Sequence, residues 1–143
     1  MQPYFISERW EYDYIVSRGF EPLLDTNHFR MDIRLRIAIQ REKFGTGHTP
    51  EENERFYRWV WEHKPHYCEE TMRPLPNYSA TFISHILTRG ANPEMAHDPR
   101  NVNILCFEMH NKWENGDRKG MRIYPANAMR IQELKKDYET NRI

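Results

Sequence analysis

The chain is poor in cysteine. It has two, Cys68 and Cys106, in 143 residues. That is too few for the disulfide framework of a small secreted domain, and in a reducing compartment they stand as thiols or metal ligands. Any apolar run long enough to cross a bilayer is also missing, so no membrane partner is expected. The first residues, MQPYFISERWEYDY, show no basic segment followed by an apolar one. No secretory signal is read there, and the cytoplasm is the expected compartment. Net charge is absent too, since 21 basic residues balance 21 acidic ones. This removes the overall positive field behind strong non-specific nucleic-acid binding. The signs are nonetheless unevenly spread, with excess base over residues 117–143 and excess acid over 51–70. Internal repeats and low-complexity tracts are not found either.

What is present is the composition of a folded domain: 38% hydrophobic, 13% aromatic and 29% charged residues. The expectation is one α+β domain over residues 1–143, with a real core. Residues 1–28 are rich in aromatics. Trp10 and Tyr14, one helical turn apart after Ser7, predict a short helix that Gly19 interrupts. From Phe29 to Ile39 apolar and polar residues alternate strictly, which predicts a half-buried strand. A helix through Ile33, Ile37 and Phe44 is the alternative, because Gln40 to Lys43 are good helix formers. Arg30, Asp32, Arg34 and Arg36 fall between the apolar residues, and either way one face is basic, read as solvated, with phosphate contact as the functional alternative.

The clearest helix start is at Thr49, with Pro50 in the first helical position and Glu51 and Glu52 in the first turn. Phe56, Trp59, Val60 and His63 form its apolar side, and Pro65 ends it. Trp59 and Trp61 read as core and lip, not as a cofactor box. Residues 66–77 are turn-rich, 78–87 are β-prone, 88–100 form a Gly- and Pro-containing loop, and 101–105 are β-prone again. A helix over 106–115 should stop at Gly116 in the C′ position. A last helix is predicted over about 126–137, with Ala128, Ile131 and Leu134 inward.

The residues that could carry chemistry fall between Ser84 and Glu114. Hydrolysis of a phosphodiester needs a base to take a proton from water, positive charge against the phosphate, and fixed geometry. Histidine suits the base role near neutral pH. A hard divalent cation with few protein ligands suits the second. His85 lies on the first β segment, Asn101 before the second, and His110 and Glu114 share a helix face at i and i+4. By spacing alone these are equally two ordinary polar residues and a surface histidine.

Two stretches then point further: WVWEHKPHYCEETMRPL at 59–75 and ISHILTRGANPEMAHDPRNVNILCFEMHNKWENG at 83–116. In order they hold an aromatic helix, a cysteine connector, a first histidine, the NVNILC segment and a second histidine nine residues after Asn101. This combination resembles the HNH endonucleases of the ββα-metal fold, nearest to the phage NinG-like recombination branch. The resemblance implies a helical N-terminal part over residues 1–65, an HNH unit over 66–116 and a C-terminal helical buttress over 117–143. It implies that His85 is the general base and that Asn101 braces the loop without binding metal. It implies that His110 ligates Mg²⁺ or Mn²⁺, with Glu114 where some members carry a further ligand. Ser84 occupies the position of a second metal ligand, usually Asp or His. Arg89, Arg100 and Lys112 are the candidate contacts to substrate. DNA is the expected partner, in a bacterial host or as a phage-encoded protein, and hydrolysis is expected to leave a 5′-phosphate.

The chain departs from the family in two places. Ser84 is neutral and a poor ligand. The paired cysteines that hold a structural zinc in many members are halved here, with Thr71 following Cys68 and Met109 following Cys106 at the ligand spacing. A closed zinc site takes four donors, so no structural zinc is expected. His48, His63, His66 and His97 match no role and read as surface or core histidines. Retained His85, Asn101 and His110 favour a nuclease. Ser84 and zero net charge favour a non-catalytic DNA- or protein-binding module on the same scaffold.

Overall fold

Thr49 begins the helix against which the rest is assembled. Its hydroxyl accepts from the Glu52 backbone N–H at 3.2 Å, and the Glu52 carboxylate accepts from the Thr49 N–H at 2.9 Å. This reciprocal box satisfies two backbone donors that a helix start otherwise leaves unpaired. Glu52 also accepts from the Gly47 N–H at 3.0 Å. It packs so close to Gly45 (φ +103°) that a Cβ there would lie 1.8 Å from its carboxylate, which restricts position 45 to glycine.

The structure, a computed structural model, describes residues 23–24, 29–30 and 33–140. The short helix predicted after Ser7 lies outside them. A two-residue ribbon pairs β1 (Leu23–Leu24) antiparallel with β2 (Phe29–Arg30). Helices α1 (Ile33–Phe44) and α2 (Pro50–His63) follow, then β3 (Ile83–His85), β4 (Val102–Ile104), α3 (Phe107–Glu114) and α4 (Tyr124–Thr140). The protein is thus α+β, with a two-stranded antiparallel sheet between its helices and a helix at the C-terminal end. Among the described residues no helix is long and apolar enough to cross a membrane.

The strand predicted over Phe29–Ile39 is corrected. Among the described residues of that span only Phe29 and Arg30 are extended, and Ile33 onward is helical. The alternation was misleading because the inward face of α1 is partly polar. Arg36, Gln40 and Phe44, spaced at four, are all buried. Arg36 meets Asp98 and Gln40 meets Tyr138, partners 62 and 98 residues away.

The core gathers Phe44 from α1, Phe56, Trp59 and Val60 from α2, Ile83 and Ile104 from the sheet, and Trp113 from α3. Phe44 meets Phe56 edge-on at a centroid distance of 5.0 Å. Turn 68–73 joins the sheet edge, where the Glu69 carboxylate accepts from the Ile104 N–H at 2.6 Å. The neighbouring Glu70 carboxylate accepts from the N–H groups of Arg122 and Ile123 at 2.8 and 3.0 Å. Those donors lie at the start of α4, so Glu70 caps it from outside and offsets its positive end. This explains why α4 begins at Tyr124, two residues earlier than predicted. Helix α3 ends with Asn115 as cap and Gly116 at φ +87°, the left-handed position expected for it.

Candidate functional site

Strands β3 and β4 pair in the register Ile83↔Ile104, Ser84↔Asn103 and His85↔Val102. Residues 86–101 leave and re-enter this pair, and Asn101 holds them. Its side-chain oxygen accepts from the Leu87 N–H at 2.8 Å, and its amide donates to the carbonyls of Leu87 (3.0 Å) and Met95 (3.2 Å). Asn101 is fully buried, so each bond replaces one that water would have made.

The same loop fixes His85. Its Nε2–H donates to the Ala96 carbonyl at 2.8 Å. A carbonyl only accepts, so this bond puts the proton on Nε2 and leaves Nδ1 as the ring's lone pair. The ring packs near Phe56 and Tyr57, at centroid distances of 6.3 and 6.1 Å. Burial pushes its pKa down to about 4, and the Ala96 carbonyl only partly opposes that. His85 is therefore neutral across the physiological range.

Opposite stand His110 and Glu114, one turn apart on α3. His110 Nδ1–H donates to the Thr81 carbonyl at 2.6 Å. Nε2 is left 2.5 Å from the Glu114 carboxylate. Side chains one helical turn apart on one helix face meet in this way, and together they offer a nitrogen and an oxygen at the cleft. Among the described residues no three His, Cys, Asp or Glu side chains converge as a metal-holding group.

His85, His110, Glu114 and Arg89 line one open cleft of about 810 Å³, together with His48, Tyr57 and Arg118. This is within the range of small-ligand sites. Asn101 does not line it, and the other three expected residues lie elsewhere too. Ser84 is 1% exposed, does not line the cleft, and has a hydroxyl without a hydrogen-bond partner. Arg100 is buried and bonded to Asp98 at 3.0 Å and Asp137 at 2.7 Å. Lys112 lies outside the cleft wall and pairs with Asp117 at 2.8 Å.

Sequence reasoning missed Tyr57, Arg118 and His48. Tyr57 neighbours the predicted apolar face of α2 but falls off it. Arg118 sits 4.3 Å over the Trp113 ring and donates to the Trp113 carbonyl at 2.7 Å. Its only sequence signal was the basic excess after residue 117. His97, read as surface or core, is a core residue that donates through Nε2 to Asn53 at 2.8 Å. No family model, curated protein or solved structure matches this chain.

Proposed function

We propose that the protein is a metal-dependent endonuclease or nickase of the HNH kind, hydrolysing DNA phosphodiester bonds. The observation that supports this reading is the pairing of two unlike histidines across one cleft. His85 is neutral, with a free Nδ1, while His110 is bonded at Nδ1 and directs Nε2 at Glu114. The first arrangement suits taking a proton from water, and the second suits holding a cation. Mg²⁺ or Mn²⁺ held by His110 and Glu114 would supply positive charge against the phosphate and the departing oxygen. The chain's own residues do the rest. The Ala96 carbonyl orients His85, Asn101 keeps that carbonyl's loop in place, and Arg89 and Arg118 attract the phosphate backbone.

Plasmid nicking across Mg²⁺, Mn²⁺ and EDTA tests the proposal. His85→Ala should lower the rate by about 10²–10⁴-fold with DNA affinity nearly unchanged. His110→Ala should be partly rescued by excess cation. Undiminished cleavage by purified His85→Ala protein would refute the assignment.

A second reading has its own observation. Ser84 contributes no carboxylate and lies outside the cleft, which leaves two donors for the cation. A non-catalytic DNA- or protein-binding module would retain its partner and show no metal-dependent cleavage on plasmid, nicked or branched DNA.

A further inference from the structure

The turn that ends α3 folds back over the helix it leaves. Gly116, at φ +87°, reverses the chain after Asn115. The Arg118 backbone is then fixed at both ends. Its N–H donates to the Gly116 carbonyl at 3.0 Å, and its carbonyl accepts from the Met121 N–H at 2.9 Å. The side chain lies against the buried Trp113. Its guanidinium sits 4.3 Å over the indole, and Nε–H donates to the Trp113 carbonyl at 2.7 Å. A stacked plane bonded along one edge has little freedom left to rotate.

Capping α3 does not account for this arrangement, because the Trp113 carbonyl already accepts from the Gly116 N–H at 3.1 Å. The flanking carboxylates do not claim Arg118 either, since Glu114 meets His110 and Asp117 meets Lys112. Its Nη1 and Nη2 groups have no hydrogen-bond partner among the described residues, and the residue lines the cleft together with Glu114. Arg89, on the loop after β3, is the contrast. It lines the same cleft, is exposed, and has no hydrogen bond or ion pair among the described residues to hold it. A loose cation contributes charge, whereas a fixed guanidinium fork also contributes direction.

We propose that Arg118 holds one phosphate of the bound strand in a fixed bidentate pose, through Nη1–H and Nη2–H, while Arg89 acts through its charge alone. The identity of the ligand, a DNA phosphodiester, rests on the endonuclease reading. A phosphate held in this way lies on the α3 side of the cleft, the side that carries His110 and Glu114.

The test has two arms. The first needs no cleavage: guanidinium NMR of the native full-length protein, titrated with a short DNA duplex without divalent cation, and separately with inorganic phosphate. The Arg118 Nε–H signal should be visible before any addition. Its Nη–H signals should shift and sharpen with the duplex, as rotation about Cζ–Nη stops. Signals that respond to inorganic phosphate but not to the duplex, or to neither, overturn the assignment. The second arm is single-turnover nicking at saturating DNA. Arg118→Lys keeps the charge and loses the fork, so the rate should fall about 100-fold. Its DNA affinity and salt dependence should stay within about twofold of the unaltered protein. Arg89→Ala should instead weaken affinity and reduce the salt slope by about one. An Arg118→Lys protein that cuts at the unaltered rate overturns the proposal. If the unaltered protein cuts nothing while the duplex still moves the Arg118 signals, the nuclease reading fails and the phosphate site stands.

Discussion

The loop between β3 and β4 has two sides that are built differently. Toward the cleft, Ala96 offers its carbonyl to His85, and the side chains there leave atoms open. Toward the back, Asp98 is enclosed by charge. Arg36 approaches it at 3.3 Å, Arg100 at 3.0 Å and the Tyr138 hydroxyl at 3.0 Å, with Asp98 itself 0% exposed. The two arginines hold the Asp98 carboxyl far below its usual range against the opposing effect of burial. Arg100 also bonds Asp137 on α4 at 2.7 Å. Only one residue, His97, separates the open side from the closed one. A backbone carbonyl can orient a histidine only if its turn cannot move, and the buried charges on α1 and α4 supply that stiffness. The polar residues inside this protein therefore divide into those that hold and those that stay available.

The most severe way to break the comparison is Asp98→Ala. It leaves Arg36 and Arg100 buried without their shared carboxylate, and such losses cost about 3–5 kcal/mol. Chemical denaturation should show that loss, and any cleavage activity should fall with it, although Asp98 touches nothing in the cleft.

Acid probes both sides at once. His85 and His97 are held down to a pKa of about 4 by burial, against an ordinary value of 6.5. The unfolded chain takes up these protons near pH 6.5, and the folded chain only near 4. Stability is therefore complete above pH 6.5 and declines as pH falls toward 4. For His85 alone the loss is on the order of 3 kcal/mol. Asp98 holds its charge throughout that window and should not contribute. A flat stability profile between pH 6.5 and 4 would contradict the burial of the two imidazoles.

Asn101→Ala isolates the brace. It removes three hydrogen bonds and leaves the Leu87 N–H without its partner, which costs about 2 kcal/mol. Because the lost bonds also fix the turn carrying Ala96, the pH dependence of any cleavage should change along with the thermal midpoint. Ser84→Ala is the mildest test. The Ser84 hydroxyl is buried without a partner, so its removal should be neutral or stabilising by roughly 1 kcal/mol. A marked loss of metal affinity in Ser84→Ala would instead place that hydroxyl at the cation.

Sequence patterns were most readable where structure is local. Thr49, Pro50 and Glu52 announced α2 because a capping box is completed within four residues. Gly116 announced the end of α3 because one backbone angle demands it. The β-prone segments around His85 and Val102 and the helix carrying His110 were legible for the same reason. The failures were non-local. The face of α1 carries Arg36 and Gln40 inward only because Asp98 and Tyr138 wait for them, and no window of neighbouring residues contains that information. Arg100 beside the candidate site looked like a phosphate contact, yet Asp137 claims it.

The sequence by itself determined the helix starts and stops, the two β segments and the residue types able to hold a proton or a cation, since each depends on neighbours a few positions apart. Tertiary structure alone decided which of them share a cleft and which nitrogen of His85 is free. It also decided which charges are spent inside the fold, because burial and partner choice are set by chain segments that meet only after folding.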